Sequence, residues 1–79
     1  PTTPAVRLST TLATQTKKSR TYRLVLSNSN PYAVTAEIKF PDTLRNLPEG
    51  MRRDDGIPTW FVTVPANDSS EIIVEVPLQ

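Results

Sequence analysis

The sequence predicts an all-β fold, an antiparallel sandwich or barrel, and three observations carry that prediction. Eight prolines against two glycines, with little helix-forming sequence between them, argue against a helical bundle. β-Branched and aromatic residues alternate with polar ones through several short runs, the period of strands with one buried and one wet face. Turn-forming clusters separate those runs at intervals of about ten residues, the spacing of all-β domains. No gap between them holds a crossover helix, so no parallel βαβ unit fits.

Residues 1–4 read as a linker tail whose prolines favour an extended, unpaired backbone, and residues 5–79 as a single domain. The first strand is expected over Val6–Ala13, with Val6, Leu8, Thr10 and Leu12 on one face and Arg7, Ser9 and Thr11 on the other. Gln15–Ser19 is polar and basic, a turn or mobile loop. The second strand is expected over Arg20–Ser27, with Tyr22, Leu24 and Leu26 inward and Thr21, Arg23 and Val25 outward. Asn28-Ser29-Asn30-Pro31 is a cluster of turn formers, in which Pro31 holds Asn30 extended. The third strand, Tyr32–Phe40, turns Val34, Ala36, Ile38 and Phe40 to one face and Thr35, Glu37 and Lys39 to the other.

Residues 41–58 are too long for a structureless connection. Pro41-Asp42 and Pro48-Glu49-Gly50 read as turns, and Arg52-Arg53-Asp54-Asp55-Gly56 as a solvated tip. The segment is expected to carry a short edge strand near Met51 or to cross between sheets. Trp60–Val64 and Ile72–Val76 then read as the two arms of a terminal hairpin joined by Pro65–Ser70. The expected core is Leu8, Leu12, Tyr22, Leu24, Leu26, Val34, Ile38, Phe40, Trp60, Val62, Val64, Ile72 and Val74. Burying each such side chain contributes roughly 1.5–3 kcal/mol, against about 1–2 kcal/mol of backbone ordering per residue.

At 79 residues the chain buries roughly 60–65% of its unfolded surface, so its stability margin is thin. The absence of cysteine and histidine removes disulfides, thiolate metal sites, the commonest general base and the usual pH switch. A formal charge of +1 carries none of the excess that phosphate neutralisation requires. No apolar run has the length of a membrane span. Beginning Pro1-Thr2-Thr3-Pro4 rather than with Met, the chain reads as an excised domain or processed fragment.

Each candidate site has a plainer explanation beside it. Asp54-Asp55-Gly56 with Asp42 and Glu49 lacks the spacing of a calcium loop and reads as a solvated turn. Lys17, Lys18, Arg20 and Arg23 could meet an anionic surface, but charge also keeps an edge strand soluble. Arg52-Arg53 beside Asp54-Asp55 reads as a surface ion-pair cluster of little energetic weight. Asn67-Asp68-Ser69 fits a glycosylation sequon but serves better as turn chemistry, with Asp68 in a position tolerant of the left-handed region. Serine and threonine nucleophiles lack an activator, apart from a formal Ser–Lys arrangement through Lys17 or Lys18. Trp60 and Phe61 are strand neighbours, so with Trp60 inside, Phe61 is either exposed or covered by the 41–58 segment. Exposed beside Val25 or Ile73, Phe61 would form an interaction patch; Tyr32, Phe61 and Trp60 together could form an aromatic platform for sugars or bases.

From Thr21 onwards three elements carry a resemblance: Tyr22-Arg23-Leu24-Val25-Leu26-Ser27-Asn28, Asn30-Pro31-Tyr32-Ala33-Val34-Thr35-Ala36-Glu37, and Trp60-Phe61-Val62-Thr63-Val64-Pro65-Ala66-Asn67. In this order and spacing they resemble the C-terminal β-sandwich portion of bacterial proteins of the domain of unknown function family 4139. Residues 1–19 add only a first strand. Asp68 stands where such turns often have Gly. The resemblance implies a terminal immunoglobulin-like module of a bacterial protein, often one exported to the envelope, with no catalytic residues to carry over.

The resulting expectation is an immunoglobulin-like or fibronectin-like antiparallel β-sandwich of about six or seven strands. It would be a non-enzymatic accessory module without cofactor or metal, acting through sheet faces or edges. Its partners would be other domains of the parent protein or a separate protein, not nucleic acid or a membrane interior. The isolated domain would be a monomer, located in the envelope, the periplasm or outside the cell. Tyr32, Phe61, Val25 and Ile73 are the candidate interaction residues. The alternative is a carbohydrate- or cell-surface-binding module using exposed aromatics.

Overall fold

Two three-stranded antiparallel sheets face each other, in the strand orders β1-β2-β6 and β3-β5-β4. The strands are β1 (Val6–Gln15), β2 (Ser19–Asn28), β3 (Val34–Lys39), β4 (Met51–Asp54), β5 (Ile57–Val64) and β6 (Asp68–Pro77). They come from a computed structural model that describes residues 5–41 and 44–78. The tail expected at residues 1–4, and the turn and metal-ligand readings of Asp42, lie outside the described residues. The fold is an all-β sandwich, and the short edge strand expected near Met51 is β4.

The β1–β2 pair is a hairpin closed at Thr16, whose N–H donates to Ser19 O at 2.8 Å. The Thr16 hydroxyl accepts from the N–H of Lys18 and of Ser19, at 3.2 and 3.0 Å, so this connection is an ordered turn. The β4–β5 pair is a second hairpin, and its two-residue loop is Asp55-Gly56. Both loop residues have positive φ, 57° and 81°, the requirement of a type I′ turn, which favours Asp-Gly. What reads from composition as a solvated tip is therefore the device that sets the β4–β5 register, pairing Asp54 with Ile57 and Met51 with Trp60.

The terminal hairpin expected over Trp60–Pro77 does not form. β5 pairs with β3 and β4, while β6 pairs along its whole length with β2, from Ser19↔Pro77 to Asn28↔Asp68. The short link Pro65-Ala66-Asn67 therefore carries the chain from one sheet to the other. Val64 and Val74, both fully buried, enter the core from opposite layers. Alternation alone does not distinguish an arch between layers from a hairpin, because both need one apolar face on each arm. The left-handed residue in the link is Asn67, at φ 53°, rather than Asp68.

The core lies beneath β2, β5 and β6. Leu24, Leu26, Phe40, Leu44, Met51, Trp60, Val64, Ile72 and Val74 are buried, and Tyr22, Ile38, Val62 and Val76 pack against them half-buried. Leu44 and Met51 belong to the segment whose composition favours no single element, and several contacts tie that segment down. Phe40 N–H donates to Pro58 O at 2.9 Å and Phe61 N–H to Gly50 O at 3.1 Å. Arg53 Nη2 donates to Leu44 O at 2.8 Å. Leu8 and Leu12, expected in the core, are instead 46% and 47% exposed. They do stand opposite Leu26 and Tyr22, and so share the inward face of their sheet. What they lack is cover, because β1 has ten residues and β3, in the facing sheet, has six.

Candidate interaction surface

The aromatic and aliphatic residues singled out in the sequence do not converge on one surface. Val25 and Ile73 lie on the outer face of the β1-β2-β6 sheet, in the adjacent cross-strand pairs Val25↔Glu71 and Arg23↔Ile73. Ile73 is 49% exposed, and Arg23 and Glu71 form an ion pair across the same two strands. Phe61 belongs to the other sheet, opposite Glu37, on the face away from Trp60. Phe61 therefore cannot sit beside Val25 or Ile73, and the patch that would join them is ruled out by the sheet assignment.

Phe61 is also covered, as the reading with Trp60 inside allows. The Arg52 guanidinium lies 4.1 Å from the ring centroid, a cation–π contact supplied by the 41–58 segment. Arg53 is occupied with the Leu44 carbonyl, so the two arginines are engaged elsewhere than in the expected cluster with Asp54 and Asp55. Tyr32 is 61% exposed and sits in the β2–β3 connection, at the end of the sheet where Val34 faces Val64. The aromatic contact within the described residues is instead internal, between Tyr22 and Phe40 at 6.5 Å. Tyr32 and Phe61 form no shared platform.

At that same end Asn28 joins the two sheets. It is 2% exposed, and its side-chain amide donates to the carbonyls of Tyr32 at 2.8 Å and of Val64 and Pro65 at 3.1 Å. Its Oδ1 accepts from the backbone N–H and the side-chain amide of Asn30, both at 2.9 Å. One residue thus closes the β2–β3 turn and holds the start of the β5–β6 link. Asn67 N–H completes the junction by donating to Asn30 O at 3.1 Å. Among the described residues no buried side-chain polar atom lacks a partner. This cluster is therefore a satisfied structural joint rather than a site waiting for a ligand.

The surface that sequence reasoning missed is the free side of β1. Between the overhang of β1 and the end of β3 lies a groove of about 230 Å³, lined by Leu8, Thr10, Tyr22, Leu24, Ile38 and Phe40 among others. Within the described residues β1 pairs only with β2, leaving one full edge of backbone donors and acceptors unpaired. Along that edge Arg7 is the sole charged residue, and neither Pro nor Gly interrupts it. Natural edges are commonly blunted by such residues. Here the protection is a bulge between Leu12 and Thr14. The sparse charge of Val6–Gln15 is the signal in the sequence that marks this edge, whereas alternation by itself directs its two leucines to the core.

Lys17 and Lys18 lie in the β1–β2 turn, Arg20 stands opposite Val76, and Arg23 is paired with Glu71. The four cations are therefore distributed along one hairpin, with one of them already neutralised. Among the described residues no three acidic, histidine or cysteine side chains gather as a metal site would require. Comparison with protein-family models, with curated proteins and with solved structures finds no match to this chain.

Proposed function

We propose that this chain is a non-catalytic, immunoglobulin-like interaction module of a larger bacterial protein, acting through a sheet edge rather than through a pocket. The observation that carries the reading is the uncovered side of β1, where two leucines stand about half exposed beside an unpaired backbone edge. Such an edge recognises an extended segment by main-chain hydrogen bonds, with the alternating side chains of that segment entering the groove. The likeness to the C-terminal β-sandwich of the domain of unknown function family 4139 supports a place beside other domains of an envelope protein. The outer faces offer less: Ile73 is flanked by an ion pair, and Phe61 is capped by Arg52.

The test is an amide-resolved NMR spectrum of the chain, repeated after the rest of the parent protein is added. Shifts concentrated in Val6–Leu12 and around Ile38–Phe40 are expected. A spectrum that does not move in the presence of the parent protein removes that protein as the partner of this edge, and with no other partner engaging β1 it removes the reading.

A further inference from the structure

We infer that the free edge of β1 pairs with the β1 edge of a second copy of this chain, forming a continuous six-stranded sheet across a two-fold axis. The inference rests on the reading of β1 as an interaction edge and names its occupant. Placing Thr10 opposite Thr10 of the other copy sets Leu8 against Leu12 and Ser9 against Thr11, and leaves Arg7 beside the bulge at Ala13. The strand is thus self-complementary, as a two-fold interface requires. Leucine meets leucine on the inward face, and small hydroxyl residues meet on the outward face. The arginines of the two copies stand at opposite ends of the ladder, about 20 Å apart at about 3.3 Å per residue, so no like-charge contact opposes pairing.

Directly opposite residues in an antiparallel pair share a face. In this register all the leucines therefore lie on the side where each copy holds its Tyr22 and Leu24. Leu8 and Leu12, exposed in the single chain, gain the cover that β3 is too short to provide. The bulge between Leu12 and Thr14 ends the regular ladder, which limits the pairing to the segment around Leu8–Leu12. Pairing over so short a segment belongs to the small end of protein interfaces, so the association is expected to be weak.

Sedimentation velocity from about 10 µM to 1 mM, the range of weak association, tests the pairing. The chain is expected to move from monomer to dimer across it. Two double variants probe the register, Ser9→Lys with Thr11→Lys, and Ser9→Glu with Thr11→Glu. Both positions are exposed, and an unchanged circular dichroism spectrum confirms folding. Each variant alone places like charges opposite one another and is expected to remain monomeric. An equimolar mixture places Lys opposite Glu and is expected to recover the dimer. A chain that stays monomeric throughout overturns the pairing, as does a dimer that neither variant weakens. If the chain stays monomeric while β1 amides shift on adding the parent protein, the edge serves a foreign strand. In that case the pairing falls and the interaction-module reading stands. Dimerisation through β1 without any response to the parent protein supports the pairing and removes the parent protein as partner.

Discussion

Asn28 and Trp60 show how unequally single residues carry this fold. Trp60 is 4% exposed and pairs in register with both Ile38 and Met51, so its loss opens a cavity in the middle of the smaller sheet. Trp60→Ala is expected to cost about 3–5 kcal/mol in urea unfolding, and an unchanged midpoint would remove Trp60 from the core. Asn28 contributes hydrogen bonds rather than volume. Replacing it with Ala strands the carbonyls of Val64 and Pro65 at the junction of the sheets. Only the bond to Val64 is buried, those to Tyr32 and Pro65 being part-buried, so at about 1–3 kcal/mol for an unsatisfied buried group Asn28→Ala is expected to cost about 1–3 kcal/mol. Asn28→Asp keeps the acceptor but points an oxygen at three carbonyls, and is expected to be the more damaging of the two. If the Asn28→Asp variant unfolds at the same urea concentration as the wild type, the amide does not hold the sheets together. The apolar inward list was largely legible in the sequence, because burial follows alternation. The role of Asn28 was not. Asn in a turn cluster announces a turn, and which carbonyls its amide meets depends on a strand 36 residues away.

At the scale of elements, the two hairpins and the one arch illustrate what local chemistry does and does not decide. Asp55-Gly56 is the strongest short hairpin signal in the sequence, but the charged residues around it read as a solvated tip. Its geometry leads to a prediction for Gly56, which has φ 81° and open space where a Cβ would project. Gly56→Ala is expected to cost about 1–2 kcal/mol through backbone strain alone. Asp55→Asn, which tolerates the same left-handed conformation, is expected to be near neutral in thermal unfolding. Comparable losses at both positions would mean that the turn is not type I′. Gly50 is a second case of the same kind. A Cβ there would sit 3.7 Å from the Trp60 indole, an ordinary contact, so the φ of 94° is what favours glycine. The arch between β5 and β6 has no comparable signature. Pro65, Ala66 and Asn67 would serve a hairpin loop as readily, and the choice is made by β2, which offers β6 a ten-residue partner.

For the whole molecule, coverage decides what the pattern could not. The fold class and the inward faces were readable because a strand pair needs only period-two alternation to define its two sides. How far each sheet extends over the other was not readable, since it depends on the lengths of strands far apart in sequence. That is why Leu8 and Leu12 face inward yet stay wet. It also gives the domain an unequal distribution of stability. β5 lies between two strands and under the core, and β2 is likewise flanked on both sides. β1 has one neighbour and contributes only Val6 as a partly buried packing residue. Local opening free energy follows buried contacts and paired backbone. Native-state hydrogen exchange on dilute protein is therefore expected to rank Leu24, Leu26 and Val62 among the slowest amides. The amides of Ser9–Thr11 should exchange by a lower-energy opening that leaves the rest of the sandwich folded. At concentrations where two β1 edges meet, those same amides should slow while the central ones keep their rates. Uniform protection across all six strands in dilute solution would show that β1 is held as firmly as the core.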